Sequence, residues 1–359
     1  MPVDHVVVGS GISGAAIART LHDAGRSVLV VERRSAVGGN VRDETHPSGI
    51  RFHVHGPHYF RTNSSTLWSF VRRFADFYKF EAVLASWVDD RYEAWPVTAD
   101  YIARTVGVGW QPSTAAGRAE NFEQACLAMM PEQVYLKFVK GYTEKQWGVA
   151  ATELAPALAG RFDVRPGHDL RLKTHRYQGL PVGGYSAWME SMLSGIPVVT
   201  DCDYLSTPGD FPFARSLVFT GPIDEYFGYS LGHLRYRGQQ RRHIYRDDID
   251  QFQPYIQVNN PGAGPHIRTL EWKHLVPADG RSPVSGTLLT EEVPYSPDRA
   301  DDFEYPFPDD DNVRLYAAYR KLASTEPRVT ICGRLGEYRY LDMDHALARA
   351  LRWAKKLLR

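Results

Sequence analysis

Cysteine is scarce in this chain of 359 residues. Cys126, Cys202 and Cys332 stand far apart, without the pairing of a disulfide framework or the clustering of a thiolate metal site. That usage points to a reducing, cytoplasmic setting. An excess of charge of one sign is also lacking: 42 basic and 42 acidic residues cancel. The balance leaves no electrostatic footprint for nucleic acid or an anionic membrane. The main basic stretch, Arg235 to Arg246, is broken by Gln and Tyr and reads as a solvated strand or loop. No apolar run approaches the roughly 18 residues that cross a bilayer. The N-terminus enters a strand at once, with no charged leader or cleavage site. At about 100–200 residues per domain the length allows two or three cores.

What is present begins with the first strand. Val6-Val7-Val8 runs into Gly9-Ser10-Gly11-Ile12-Ser13-Gly14, and a second apolar strand, Val28 to Val31, ends on Glu32. This is a dinucleotide fingerprint in its context of strand, glycine turn, helix, strand and acid. The glycines let backbone N–H groups approach a pyrophosphate at a helix start, where the dipole favours negative charge. An acid about 20 residues on can accept from a ribose hydroxyl. Gly38-Gly39-Asn40 adds a second accessible turn.

Spacing predicts a helix over Ser64 to Phe80, with Ser64 or Ser65 as its cap. Residues 100–160 read as helical, for example Glu123 to Met130 and Gln133 to Lys140, and 160–180 as a basic loop. A helix over Ser186 to Leu193, short strands over 195–222 and an antiparallel sheet over 233–300 follow. The end reads as helix Val313 to Thr325, strand Val329 to Cys332 and helix Asp344 to Leu358. The fold expected is α/β: a discontinuous Rossmann-like domain with a helical insertion and an antiparallel β-sheet domain. Residues 1–80, 196–232 and 322–359 would form the dinucleotide domain, 97–162 the helical domain, and 81–96, 163–195 and 233–321 the sheet domain.

No Ser/His/Asp or Cys/His set has credible spacing. His53, His55 and His58 suggest a metal, but metal sites normally recruit a carboxylate or thiolate as well. His53 and His55 fall on one strand face and His58 beyond the Gly56-Pro57 turn. No metal is expected.

Several longer blocks remain. They are Gly56-Pro57-His58-Tyr59-Phe60-Arg61-Thr62-Asn63, Lys140-Gly141-Tyr142-Thr143-Glu144-Lys145-Gln146-Trp147-Gly148, Arg176 to Tyr185, Thr220-Gly221-Pro222-Ile223-Asp224, and Gly333 to Met343. With the fingerprint, and nearly end to end, they make the sequence resemble the UDP-galactopyranose mutases. These flavoenzymes interconvert the pyranose and furanose forms of a nucleotide-bound hexose.

The resemblance implies FAD, active when reduced, whose N5 attacks the anomeric carbon and displaces the nucleoside diphosphate. It also implies a nucleotide-sugar substrate, NAD(P)H or a flavin reductant as electron source, and a homodimer. Catalytic roles would fall to Arg161 and Arg268 on the diphosphate and to His58 beside the flavin. Substrate would be bound by Phe138, Tyr142, Trp147, Tyr305, Tyr340 and Asp342. Cofactor contacts would come from Gly9, Gly11, Ile12, Ser13, Gly14, Glu32, Arg33, Gly39, Asn40, His58, Thr220, Gly333, Arg334, Asp342 and Met343. Gly160 to Arg171 would be a mobile lid over the site.

Departures from the family pattern are Pro57, Leu172, Val258 in place of an asparagine, His266-Ile267, and the stretch Arg91 to Pro96. They are expected around the sugar and diphosphate, and suggest a changed substrate such as a 6-deoxyhexose or a thymine nucleotide. The fingerprint alone also fits an FAD-dependent oxidoreductase of amine-oxidase type. The departures admit a non-catalytic nucleotide-sugar-binding homologue.

Overall fold

In the computed structural model, the structure describes residues 2–107, 119–162, 164–276 and 284–359. Parts of the expected helical and sheet regions, and position 163 of the expected lid, lie outside these residues. A five-stranded parallel sheet has the order Val198–Val199, Val28–Val31, Val3–Val8, Phe213–Phe219, Val329–Ile331. Its strands come from both ends and the middle of the chain, so the nucleotide-type domain is discontinuous. The helix Ile12–Asp23 packs on the C-terminal helix Met343–Leu357 and on Tyr185–Leu193, and Ala15, Ala16 and Ile17 are wholly buried in that contact.

A seven-stranded sheet follows the order Tyr305–Pro306, Tyr236–Arg246, Thr287–Tyr295, Arg268–Glu271, Gln257–Asn259, Leu84–Val88, Arg91–Trp95. Its neighbours are antiparallel except where Gln257–Asn259 runs parallel to Leu84–Val88. Against the seven-stranded sheet packs a helical region with its own core of Tyr101, Phe122, Tyr135, Phe138 and Trp147.

The helix expected over Ser64 to Phe80 is shorter. Ser64 caps it, accepting from the Leu67 N–H at 3.2 Å, and it ends at Val71. Phe77–Lys79 is instead a strand beside Tyr177–Pro181, which pairs on its other edge with Phe60–Thr62. Phe74, Phe77 and Phe80, three apart, have helical spacing, while aromatic residues also suit a strand. The open edge of Tyr177–Pro181, about a hundred residues on, decides between them. The same strand replaces the end of the loop expected at 160–180.

Gly183-Gly184-Tyr185 also has a structural reason. Gly184 has φ +95°, and a Cβ there would stand 2.2 Å from Asp43 Oδ2. The buried Asp43 carboxylate accepts from the Tyr185 and Ser186 N–H groups at 2.7 and 2.9 Å. It caps the helix Tyr185–Leu193 from another segment. Replacing it with alanine (Asp43→Ala) should cost about 1–2 kcal/mol of stability, read from urea unfolding. Unchanged stability would show that the cap is not needed.

Candidate functional site

Two cavities meet where the domains join. The first, of about 190 Å³, lies over the parallel sheet and is lined by Gly9, Gly11, Ile12, Ser13, Gly14, Glu32, Arg33, Gly39, Asn40, His58, Thr220, Gly333, Arg334 and Met343. Every residue expected on the cofactor is there except Asp342. Gly14 allows close packing, since a Cβ would meet the Gly9 carbonyl at 1.9 Å. Gly9 itself has φ +95°. At Gly11 the nearest atom to a Cβ would be Gly39 Cα at 3.9 Å, so the backbone there faces open cavity. No side chain caps the helix that starts at Ile12, and its first N–H groups remain for an anion. Glu32 is buried. Its Oε2 accepts from the Ser10 N–H and hydroxyl at 2.8 and 2.6 Å, and its Oε1 from the Arg34 N–H at 3.0 Å. Arg33 turns aside to Glu225 at 2.9 Å.

The second cavity, of about 250 Å³, is lined by His58, Phe138, Tyr142, Trp147, Arg161, Arg268, Tyr305, Tyr340 and Asp342, all the residues expected on substrate or in catalysis. The two cavities share Asn40, His58, Arg334 and Met343. Asp342 lines only this second one, where it pairs with Arg61 at 2.9 Å. Burial works against the Asp342 carboxylate, but Arg61, with Arg334 and the Tyr340 hydroxyl, more than offsets it and its pKa is lowered.

One wall is the helix Gly141–Trp147, preceded by a π-helical stretch over Tyr135–Lys140. The helix ends at Gly148, which is left-handed with φ +72°. Arg237 holds its last carbonyls, donating to Gln146 O at 2.8 Å and Lys145 O at 3.3 Å. Thr143 Oγ1 and Gln146 Nε2 are buried without a hydrogen-bond partner among the described residues. Both residues line the cavity, so unpaired polar groups lie within this wall.

The opposite wall is the sheet. Arg268 sits opposite Asn259 on one side and Glu292 on the other. Its guanidinium pairs with the fully buried Glu292, which also accepts from Arg241 Nε at 2.9 Å. Arg241 in turn reaches both oxygens of Glu304, at 2.7 and 2.9 Å. The chain Arg268–Glu292–Arg241–Glu304 balances two cations with two anions. Burial opposes the Arg268 charge, but Glu292 more than compensates and holds its pKa well above the usual value. Burial raises Glu304, with Arg241 opposing. The Arg161 guanidinium instead lies 4.1 Å over the Tyr340 ring, which stacks on Tyr305 at 5.9 Å. Among the described residues Arg161 has no carboxylate partner. Burial pushes the Tyr305 phenol up to about 12, so it remains a donor at neutral pH.

His58 Nδ1 donates to Gly56 O at 2.7 Å, while the His58 N–H donates to His53 Nδ1 at 3.0 Å. Among the described residues no group of three or more potential ligands could hold a metal. The strand Arg51–His53 stops short of His55, so the two histidines do not share a strand face. The expected lid is fastened at several points. His168 reaches Asp100 at 2.9 Å, Arg171 reaches Glu81 at 2.9 Å, and the Ala99 N–H reaches Gly167 O at 3.1 Å.

Of the departures, Pro57, Trp95 and Leu172 line the cavity, but His266, Ile267 and Val258 do not. Val258 lies between Gln257 and Asn259, which do. Side chains alternate along a strand, so on this strand the asparagine that lines the cavity is Asn259, one residue beyond Val258. Thr143, Gln146, Arg61, Glu304 and Gln257 were also missed. Thr143 and Gln146 follow Tyr142 by one and four residues, and that helical spacing was a readable signal.

A family model described as UDP-galactopyranose mutase matches residues 137–340, and one for a NAD(P)-binding Rossmann-like domain matches residues 7–74. The chain belongs to the UDP-galactopyranose mutase family. A probable UDP-galactopyranose mutase of Klebsiella pneumoniae is 29% identical, covering 98% of this chain and 94% of that one. A dTDP-fucopyranose mutase of Escherichia coli is 28% identical, covering 98% and 97%. A crystal structure of reduced UDP-galactopyranose mutase matches with a TM-score of 0.76 at 15% identity, covering 100% of this chain and 94% of the other, and so shows the same fold. The chain is an isomerase whose cofactor is FAD. The first cavity suits that cofactor: glycine backbone and an uncapped helix start for the pyrophosphate, and a buried acid for the ribose.

Two outcomes test this site. Gly11→Ala should weaken FAD binding with little effect on apoprotein stability, whereas Gly14→Ala should lower both. Equal effects of the two would contradict the geometry. The second outcome concerns pH. Burial holds His53 at about 3, His55 at about 2 and His58 at about 3, against an ordinary 6.5. Below about pH 6.5 the unfolded chain therefore takes up protons that the folded chain refuses, and stability falls as pH drops towards 3. Urea midpoints should decline between about pH 7.5 and 5, and His53→Phe should flatten the decline. A flat profile in the native protein would show these rings protonated when folded.

Proposed function

We propose that this protein interconverts the pyranose and furanose forms of a nucleotide-bound hexose, either UDP-galactose or a dTDP-linked 6-deoxyhexose. The observation that carries the reading is the junction of the two cavities. A dinucleotide cleft opens, through Asn40, His58, Arg334 and Met343, into a cleft bearing guanidinium groups, phenols and aromatic rings. When bound, reduced flavin supplies a nucleophilic nitrogen, so the chain needs no nucleophile of its own.

The task of the side chains is to hold the ligand through departure and return. Arg161 and Arg268 bind the diphosphate and stabilise the charge that grows on it. Arg161 contributes a cation lying over the Tyr340 ring, with no carboxylate partner among the described residues; Arg268 contributes one oriented by Glu292. The Tyr305 and Tyr340 hydroxyls donate to the same oxygens. Tyr142 stacks on the base. His58 stays uncharged. Its Nδ1 proton is committed to Gly56, so Nε2 is the atom it offers, as an acceptor. The departure at Leu172, an apolar residue on the cavity wall, and the dTDP-fucopyranose mutase among the relatives support including a 6-deoxy sugar. NAD(P)H or a flavin reductant supplies the electrons, and the protein works as a homodimer in the cytoplasm. Among the described residues no helix is long and apolar enough to cross a membrane.

The test is dithionite-reduced, FAD-loaded protein with UDP-galactose or dTDP-fucose, with products separated by chromatography. A furanose from one of them is expected. Oxygen consumption with a small amine and no furanose from either sugar would overturn the reading. A hydrogen bond to a charged group contributes roughly 1.5–3 kcal/mol. Arg161→Ala and Arg268→Ala should thus each lower kcat/KM by about one to two decades. Only Arg268→Ala should also lower thermal stability, because it leaves Glu292 buried with a single partner. Equal melting temperatures for the two variants would argue against that structural role.

A further inference from the structure

Tyr142, Thr143, Gln146 and Trp147 all line the second cavity, yet Lys145, within the same helix, lines neither. Its ammonium instead donates to three carbonyls of a single loop: Asn260 O at 2.6 Å, His266 O at 2.9 Å and Gly262 O at 3.0 Å. Three donors meet three acceptors. Among the described residues Lys145 has no carboxylate partner, and burial pushes its pKa down to about 8. A half-buried cation held only by backbone is an expensive fastening for a loop of no consequence.

The loop does have a consequence. Residues 260–266 join the strand Gln257–Asn259 to the strand Arg268–Glu271, the two that bring Gln257, Asn259 and Arg268 to the cavity. The loop is stiffened from within. Asn260 Nδ2 donates to Ala263 O at 2.9 Å and to His266 O at 3.2 Å, and the Asn260 N–H donates to Ile267 O at 2.7 Å. One turn before Lys145, Gly141 touches the same loop, where a Cβ would stand 2.2 Å from Pro261 O. Positions four apart share a helix face. Helix and loop therefore meet at backbone distance at Gly141 and are pinned at Lys145.

We propose that Lys145 is a positioning residue. By gripping the 260–266 loop it fixes the gap between the helix wall carrying Tyr142 and Trp147 and the sheet wall carrying Asn259 and Arg268. It thereby sets the affinity for the nucleoside diphosphate that spans them. The inference rests on the function proposed above, in which these walls hold that group.

The experiment titrates UDP and dTDP into FAD-loaded wild type, Lys145→Met and Gly141→Ala by calorimetry. Wild type should bind at least one of the two. Both variants should bind that diphosphate about tenfold more weakly, with FAD content and visible spectrum unchanged. For the nucleotide sugar that is turned over, KM should rise while kcat stays within about threefold. Alanine is the better helix former, so a loss in Gly141→Ala comes from the loop being pushed away. The double variant should be no worse than about the weaker single one, because both open the same seam. Wild-type affinity in both variants would overturn the role of Lys145 while leaving the proposed function intact. Loss of FAD or of cooperative unfolding in both would also overturn it, since the seam would then hold the fold rather than the cleft. A wild type that binds neither diphosphate would remove the proposed function, and this inference with it.

Discussion

The four-membered ion chain from Arg268 through Glu292 and Arg241 to Glu304 is the interaction on which the site depends. Isolated charges do not stay buried; they shift their pKa or recruit partners. Here each interior carboxylate meets an arginine, and the sheet ladder places opposite one another the residues that must meet. The chain also reaches the neighbouring segment. Gly56 has no side chain because a Cβ would stand 2.6 Å from Glu292 Oε1. The turn carrying His58 can thus lie directly against the network. One electrostatic arrangement sets the orientation of an arginine on the second cavity and the approach of a histidine to the first.

The two arginines assigned to the diphosphate are consequently different devices. Arg268 is aimed in advance by a partner that also dilutes its charge. Arg161 lies over the Tyr340 ring, with no carboxylate partner among the described residues. One cation is thus held by a carboxylate and the other by an aromatic face.

Much of this was legible in the sequence. The glycine fingerprint could be read because strand, turn and helix adjoin in the chain, and the packing of Gly9 on Gly14 follows from local geometry. The residues of the second cavity could be named only through resemblance to a family, since no local pattern brings Arg161, Arg268 and Tyr340 together. What escaped was set at long range. Glu292 acquires its role only when the ladder sets it opposite both Arg268 and Arg241, and Glu304, just before a short edge strand, only when the Arg241 side chain reaches it. Phe77–Lys79 read as helix because its partner strand lies a hundred residues away. Val258 was named as standing where an asparagine is expected, while Asn259 beside it lines the cavity, because a shift of one position reverses the face of a strand.

The common border of the two cavities has an energetic consequence. Asn40, His58, Arg334 and Met343 belong to both, so an occupant of either chamber completes part of the other's enclosure. Thermodynamic reciprocity then requires that whatever factor the coenzyme adds to the grip on the sugar nucleotide, the sugar nucleotide adds equally to the grip on the coenzyme. The partition is a linkage as much as a boundary: whatever occupies one chamber changes the hold on the occupant of the other, and by one and the same factor in both directions.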